Sequence, residues 1–233
     1  DLRFNYTKGF RTPAIKELFY NFLGHSPPVI GDEDLKPTTN DHFAISIDKR
    51  IYNNSFSFEL FYNDVKDMIA VKSVDYDSDQ VNSDTALQYS NFESVIIDGF
   101  NCHYDRKLNN RNQLKFVYNF TNSSSTNIEA LEMISRHSFK MNYLYDIILN
   151  KMKFSLNIKY SDKKFLIIDS NKIWLNDFFI VDGMFMLNIK DFLDFKFGCK
   201  NMLDYKDDRR FSSEYLSSYD PGRRFVAQIN FKY

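Results

Sequence analysis

The last ten residues of the chain alternate between apolar and polar side chains, and only Val226 interrupts the polar positions. A period of two predicts a β-strand with one apolar and one polar face. A length of about ten residues matches a tilted strand that crosses a bilayer. The apolar positions of this closing strand are Phe225, Ala227, Ile229, Phe231 and Tyr233.

The same alternation recurs along the chain and predicts ten strands. It is clearest at residues 153–160, where every second residue is apolar. It is weakest in the fourth strand, for which we predict a bulge near Gly99. The predicted strands cover residues 2–7, 43–48, 56–62, 89–108, 114–120, 139–145, 153–160, 174–189, 194–203 and 224–233.

Long and short connections alternate between these strands. Short turns fall at residues 52–54, 109–112, 150–151 and 190–191, and long connections at 9–40, 73–84, 123–137, 161–172 and 204–222. Within the first long connection, Pro13 opens a predicted short helix. Outer-membrane barrels have short periplasmic turns and long outer loops. The predicted fold class is therefore all-β, an antiparallel transmembrane β-barrel. The alternative is a soluble barrel with its apolar face inward, because alternation alone does not separate the two.

Composition favours the membrane reading and excludes several other classes. Aromatic residues make up 17% of the chain, including 24 Phe and 15 Tyr, as is typical of a barrel with aromatic girdles. A mean hydropathy of −0.45 and the lack of a run of 18 apolar residues exclude a transmembrane helix. The formal charge of −1 gives no indication of a basic surface that would bind nucleic acid. Cys102 and Cys199 are predicted to be unpaired thiols on strands.

The first residues of the chain already have the pattern of a strand. No signal peptide precedes them, although an exported β protein should begin with one. We therefore expect that the chain begins at a cut, caused by processing, by gene splitting or by a partial sequence.

Three segments together resemble the C-terminal half of a TonB-dependent outer-membrane receptor. In the first segment, residues 8–18 are similar to the F-R-A-P box of that family and residues 31–37 to its N-P-x-L-K-P-E box. The second segment, residues 201–204, is similar to the family's N-L-F-D segment. The third, residues 219–223, is similar to its Y-x-x-P-G-R pattern. Their order and spacing cover the whole chain, which ends in an aromatic residue. The departures are Thr12 in place of Ala, Asp32-Glu33 in place of Asn-Pro, and Thr38 where Glu is common.

The resemblance implies a 22-stranded barrel in the bacterial outer membrane, with an N-terminal plug in its lumen and a TonB box that contacts the inner-membrane complex. Residues 1–233 would supply the last ten strands, without the plug or the TonB box. Two open edges cannot persist in lipid, where every backbone polar group needs a partner. An N-terminal segment or a companion chain is therefore an expected partner. By the same resemblance, the outer-membrane assembly machinery would recognise the closing strand, which has Tyr233 at the position where Phe is commoner in the family.

The implied function is active import of a scarce, bulky nutrient. Haem or an iron–siderophore is the leading cargo class, with cobalamin and glycans behind, and a surface lipoprotein is a further expected partner. The sequence contains no nucleophile elbow, glycine-rich phosphate loop or paired-carboxylate motif, so we expect no enzyme and no intrinsic cofactor. The competing reading is a self-contained ten-stranded outer-membrane barrel that acts as an enzyme or an adhesin.

Candidate ligand contacts lie in the predicted outer loops. By resemblance, haem receptors of the family carry a histidine where His25 stands, and neutral imidazole can ligate haem iron; an ordinary loop histidine is the alternative. The adjacent pair Arg136 and His137 resembles a pair in siderophore-type receptors, with a positioning role as the alternative. Further candidates are Arg11 and Tyr20 as ligand contacts, Arg3, Lys115 and Lys140 as attractors of an anion, and His42 and His103 as barrel positions.

Overall fold

The computed structural model describes residues 1–24, 27–76, 85–168, 171–190, 192–206 and 222–231, and most of them lie in β-strands. A short helix, α1, covers Ile15–Phe19, and a single 3₁₀ turn covers Ile128–Leu131. The strands are β1 Leu2–Arg11, β2 Asn21–Phe22, β3 Val29–Ile30, β4 Thr38–Ile51, β5 Asn54–Asp75, β6 Thr85–Lys107, β7 Asn112–Ser125, β8 His137–Ile148, β9 Met152–Ser161, β10 Lys164–Ile168, β11 Asn171–Leu175, β12 Phe178–Lys190, β13 Leu193–Lys200 and β14 Arg224–Phe231.

Ten of these strands follow one another across a twelve-stranded sheet in the order β1-β4-β5-β6-β7-β8-β9-β12-β13-β14, and the short strands β2 and β3 join it beside β6. Each of the ten pairs antiparallel with its neighbours in this order, as expected for strands joined by hairpins and loops. The prediction of ten antiparallel barrel strands is confirmed. In the described part of the chain, β1 and β14 are the two edges of this sheet.

Three of the four predicted short turns, at residues 52–54, 109–112 and 150–151, lie where they were predicted, and Asp191 of the fourth lies outside the described residues. Tyr52 and Asn150 reverse the chain with φ angles of 49° and 59°, in the left-handed region that tight hairpins require. At the opposite end of the sheet, long segments connect β1 to β4, β5 to β6, β7 to β8, β9 to β12 and β13 to β14. This end is called the outer end below, and the end with the short turns is called the inner end.

The register separates the sheet into two faces, because directly opposed residues of paired strands point to the same side. One row of the apolar face joins Phe4, Ile45, Leu60, Phe100 and Phe120 across five strands. The adjacent row of the other face, called the polar face, joins Arg3, Ser46, Glu59, Asn101, Asn119 and Ser138. The alternation seen in each strand is therefore maintained from strand to strand.

The apolar face remains largely uncovered in the described part of the chain. Phe4 is 74% exposed on β1, Leu60 is 48% exposed on β5, and Phe225 is 83% exposed on β14. A soluble protein buries such a contiguous apolar surface, whereas a membrane barrel turns it toward lipid. None of the described helices is long and apolar enough to span a bilayer.

Two predicted details are wrong. No register shift occurs at Gly99, which pairs with Phe61 on one side and with Thr121 on the other. The glycine instead permits close approach, since a Cβ there would lie 2.0 Å from the carbonyl oxygen of Phe120. The predicted strand from residue 174 begins only at Phe178. Trp174 belongs to the hairpin β10–β11, where it pairs with Phe165, and a loop hairpin has the same period of two as a barrel strand.

The hairpin β5–β6 is much longer than predicted and carries an apolar cluster at the outer end. Phe92, Val95 and Ala130 are 1%, 0% and 3% exposed, and they pack with Met68 and others. Residues three apart on a regular strand face opposite sides, yet Phe92 and Val95 share this cluster. The hairpin therefore twists between them, where Asp67 adopts a φ of 52°. The remaining members of the cluster are Val65, Ala70, Ile97 and Leu131.

Candidate functional site

At the outer end of β1, Arg11 and Glu17 hold the chain as it leaves the sheet. The Arg11 Nη1 atom donates to both Glu17 carboxylate oxygens, at 2.8 and 3.1 Å, and the Ala14 N–H donates to Glu17 Oε2 at 2.8 Å. Burial alone would raise the pKa of the Glu17 carboxyl. The hydrogen bonds from Arg11 and Ala14 outweigh it and hold that pKa below its ordinary value. These contacts give the Phe10–Pro13 segment and the following helix a structural role.

The second half of the loop returns and binds the same helix. The Gly31 N–H donates to the Tyr20 carbonyl at 2.7 Å, and the Asp32 N–H donates to the Glu17 carbonyl at 2.9 Å. A Cβ at Gly31 would lie 2.6 Å from the carbonyl oxygen of Leu18, so only glycine allows this approach.

The Asn91 side chain binds the first long connection to the hairpin β5–β6. Its Oδ1 accepts the Lys36 N–H at 2.7 Å, and its Nδ2 donates to the carbonyls of Lys36 and Asp67 at 3.0 and 2.8 Å. The Leu87 N–H donates to the Pro28 carbonyl at 2.8 Å, which places β3 beside β6. The first long connection is thus an ordered layer against the hairpin. Asn91 has no sequence signal of its own, because it lies within an unremarkable strand pattern.

The loop between β13 and β14 is organised by Asn201. Its side chain is 1% exposed, accepts the Tyr205 N–H at 2.9 Å and donates to the Tyr205 carbonyl at 2.7 Å. Its own N–H donates to Asp182 Oδ1 at 2.7 Å, which ties the loop to β12.

Asp204 joins this loop to the start of the closing strand. The Arg223 N–H donates to Asp204 Oδ1 at 2.8 Å, and this contact holds the pKa of the Asp204 carboxyl below its ordinary value. Gly222 has a φ of 77°, and a Cβ there would lie 2.7 Å from Asp204 Oδ1. A direct hydrogen bond therefore joins segments 201–204 and 222–223, which resembled two separate family motifs; residues 219–221 of the second motif lie outside the described residues.

The predicted ligand contacts fall in different surroundings. The Arg11 guanidinium forms an ion pair with the Glu17 carboxylate, and the Arg11 side chain is 48% exposed. Tyr20 is 46% exposed and stacks on Phe22 with ring centroids 5.7 Å apart. Arg136 is exposed and donates from Nη2 to Asn122 Oδ1 at 3.4 Å. His25 lies outside the described residues.

His137 lies on the apolar face at the outer end of β8. It pairs with Phe120, and its Nδ1 lies 2.8 Å from the Tyr118 hydroxyl. Its ring centroid is 5.2 Å from that of Phe120. The structure therefore places His137 among aromatic side chains on the face opposite to the polar one. A ligand contact by this ring stays a prediction.

The polar face carries basic groups that are paired with carboxylates toward the inner end. Arg3 Nη2 lies 3.0 Å from Asp48 Oδ2, and Lys115 Nζ lies 3.6 Å from Asp105 Oδ2. His103 lies on the same face and lines a cavity of about 600 Å³ with these four residues. The inner part of the polar face is therefore close to charge-balanced.

The remaining predicted positions also lie on strands. His42 is on the polar face, where its Nδ1 is 2.9 Å from Asn63 Oδ1. Cys102 and Cys199 are free thiols, as predicted, and both lie on the apolar face opposite Tyr118 and Phe225. In the described ranges of the chain, no group of three or more His, Cys, Asp or Glu side chains could hold a metal ion.

A two-faced antiparallel sheet with short turns at one end and anchored long loops at the other is the wall of a transmembrane β-barrel. The family model described as "TonB dependent receptor-like, beta-barrel" matches residues 1–202. The chain belongs to this family, whose members are outer-membrane proteins of Gram-negative bacteria. The resemblance inferred from the three sequence segments is confirmed.

Solved structures of related fold cover nearly the whole chain. A variant of the ferric enterobactin receptor of Pseudomonas aeruginosa, in complex with enterobactin, superposes with a TM-score of 0.73 at 15% identity. The siderophore receptor PirA of Acinetobacter baumannii gives 0.75 at 15% identity, and the copper transporter OprC gives 0.75 at 13% identity. Each alignment covers 99% of this chain but only 38%, 38% and 36% of those proteins, respectively. At these identities the likeness shows the fold.

Proposed function

We propose that this chain forms the last ten strands of a TonB-dependent transporter barrel that imports a scarce, bulky nutrient across the outer membrane. The observation that carries the proposal is the two-faced sheet whose described edges, β1 and β14, have no further strand beside them. Lipid offers no water to such an edge, so another segment or a companion chain must pair with it. A plug in the barrel lumen and the TonB complex would couple transport to the energised inner membrane. The outer-membrane assembly machinery would insert the barrel. A surface lipoprotein is a further proposed partner.

The proposed cargo is iron carried as haem or as a siderophore complex. The names of the similar structures support a metal-bearing cargo, since two are siderophore receptors and one is a copper transporter. Cobalamin and glycans are the alternative cargo classes. Arg11, Tyr20, His25 and Arg136 are the proposed outer contacts, and His25 is the proposed ligand of a haem iron.

Uptake by intact cells tests the import function. Cells that lack the protein should lose most accumulation of a radiolabelled iron chelate or of haem, and re-expression should restore it. An uncoupler of the inner membrane should abolish the restored uptake. Parallel measurements with copper ions and cobalamin identify the cargo class. Unchanged uptake of all four, and of labelled oligosaccharides, in the deletion strain would contradict the proposal.

A haem titration separates haem from chelated iron. If His25 ligates haem iron, outer-membrane vesicles that contain the protein should shift the Soret band on addition of haem, and His25→Ala should reduce the shift. His103→Ala is a matched control on the inner part of the polar face. No Soret change with the wild-type protein would remove haem from the cargo classes.

A further inference from the structure

Two lysines face each other across β8 and β9 on the polar face. Lys140 lies directly opposite Lys159, and both side chains are exposed. Directly opposed residues of antiparallel strands have Cβ atoms about 5 Å apart, and like charges at that separation destabilise the sheet. A pair that opposes folding in this way points to a role outside the sheet itself.

Carboxylates do not neutralise this pair within the described residues. Lys115 and Lys153, on the same face, have partners at 3.6 Å in Asp105 and at 3.4 Å in Asp146, whereas the described chain contains no ion pair to Lys140 or Lys159. Asp182 is diagonal to Lys159 across β12, and its Oδ1 accepts the Asn201 N–H at 2.7 Å, so one carboxylate lies near two ammonium groups. The two lysines therefore form a local excess of positive charge.

Neutral amides and hydroxyls fill the positions around the pair. The Asn142 Nδ2 group donates to Asn157 Oδ1 at 2.6 Å, one polar-face position toward the inner end. One position toward the outer end, the Asn119 Nδ2 group donates to Ser138 Oγ at 3.2 Å. These groups add hydrogen-bonding capacity without adding negative charge, which leaves an anion free to approach.

Aromatic rings border the pair at the outer end. The Lys159 Nζ atom lies 5.1 Å from the ring centroid of Phe178, within cation–π range. Phe178 pairs with Ser161, the last residue of β9, and its ring is 6.2 Å from that of Tyr205 in the next outer loop. The two lysines therefore lie near the outer end of the polar face, next to aromatic rings against which a flat ligand group can pack.

We propose that Lys140, Lys159 and Phe178 form a subsite that selects negatively charged cargo with an aromatic or planar surface. The proposal rests on the proposed function, which brings cargo to this face from the outer end. Two ammonium groups contact anionic oxygens of the cargo, and Phe178 packs against its ring surface. The subsite accordingly assigns an anionic metal complex, rather than a free metal cation or a neutral complex, as the preferred cargo.

Binding of two synthetic probes to native outer-membrane vesicles tests this subsite. One probe is a tripodal iron(III) tris(catecholamide) complex with three negative charges, and the other is a neutral tripodal iron(III) tris(hydroxamate) complex of similar size. The wild-type protein should bind the trianion about tenfold more tightly or better, with an affinity that falls as salt rises.

Substitution of the lysines should remove that preference. The double variant Lys140→Gln and Lys159→Gln should bind the trianion about 10- to 100-fold more weakly and the neutral probe unchanged. Phe178→Leu should weaken the trianion a few-fold. Lys153→Gln is the matched control, because Lys153 lies on the same strand and face as Lys159 but is paired with Asp146, and it should bind both probes as the wild type does.

The other outcomes separate failure of the subsite from failure of the transport function. Equal wild-type affinity for both probes overturns charge selection and leaves iron-chelate import standing. Binding of neither probe by the wild type overturns the subsite and removes these two chelate types from the proposed cargo, while the uptake measurements with haem, copper ions and cobalamin test import separately. A double variant that binds both probes like the wild type, but whose barrel melts at a lower temperature, means that the lysines pair with carboxylates of another protein segment, and it overturns the subsite.

Discussion

At the scale of single residues, the outer loops depend on a few polar side chains that bind backbone groups. Glu17 binds the Arg11 guanidinium and the Ala14 N–H. Asn91 joins the backbones of residues 36 and 67. The Asn201 side chain binds the Tyr205 backbone. The sequence indicated the segments around Glu17 and Asn201 through their resemblance to family motifs, but it did not indicate the contacts. Asn91 lies within a strand pattern, where an asparagine that binds loop backbone groups looks the same as any other until the fold supplies its partners, so its role could not be predicted.

Glu17→Gln should loosen the first long connection while the sheet stays intact. The amide keeps the size of the side chain but loses the charge that holds Arg11, at a local cost of about 1–2 kcal/mol. Hydrogen exchange of the backbone amides in residues 14–20 and 31–36 should therefore rise about tenfold. Glu33→Gln, an exposed change in the same connection, is the control. Equal exchange in both variants would contradict a structural role for Glu17.

Acid should have the same effect on the wild-type protein. The pKa of Glu17 is lower in the folded protein than its ordinary value. Its contribution is therefore complete above the ordinary glutamate pKa, about 4.3, and is lost as the pH falls through the lower folded value. Exchange in the same residues should accelerate below about pH 4 in the wild type but not in Glu17→Gln.

At the scale of elements, the period of two was sufficient to predict the ten barrel strands, because each has one face against lipid and one against polar groups. It failed where that contrast does not apply. The predicted strand for β5 ended at residue 62, whereas β5 continues to Asp75 with its apolar residues changing face at Asp67, and residues 73–75 were predicted as part of a loop. The hairpin β10–β11 was partly merged into β12, because alternation does not distinguish a strand in the sheet from one in a loop.

A lysine on the apolar face should be costly, and one on the polar face should be tolerated. Leu60 lies in the middle of the apolar face of β5, and Ser57 lies on the polar face of the same strand. Leu60→Lys should lower barrel stability by about 2–4 kcal/mol, the cost of a lysine near the bilayer midplane, and Ser57→Lys by less than about 1 kcal/mol. Urea unfolding in lipid vesicles gives both values. A larger effect for Ser57→Lys would reverse the assignment of the two faces.

The apolar cluster at the outer end should hold the extended hairpin independently of the barrel. Phe92→Ala removes the largest buried side chain of the cluster and should cost about 3–5 kcal/mol locally. Hydrogen exchange should rise in residues 68–75 and 85–92 and remain unchanged in β8 and β9. Phe10→Ala, at a position 78% exposed, should leave the hairpin protected. Protection of the hairpin in Phe92→Ala would show that the cluster is not what stabilises it.

At the scale of the whole molecule, the apolar face, the loop asymmetry and the two uncovered edges have one common explanation. The closing strand β14 presents Phe225, Ala227, Ile229 and Phe231 on the lipid side, as its alternation predicted, and pairs with β13 on one edge only in the described chain. The last predicted position of this stripe, Tyr233, lies outside the described residues. Recognition of the stripe by the assembly machinery stays a proposal.

Barrel closure is the central claim, and heat-modifiability on an unheated gel tests it most directly. The 233-residue chain is refolded in detergent micelles alone and together with an N-terminal fragment that supplies the remaining strands and the plug. We expect that the chain alone precipitates or migrates as an unfolded species, and that the mixture yields a compact band that dissociates only on boiling. A compact, heat-modifiable band from the chain alone would contradict the claim and favour a self-contained ten-stranded barrel.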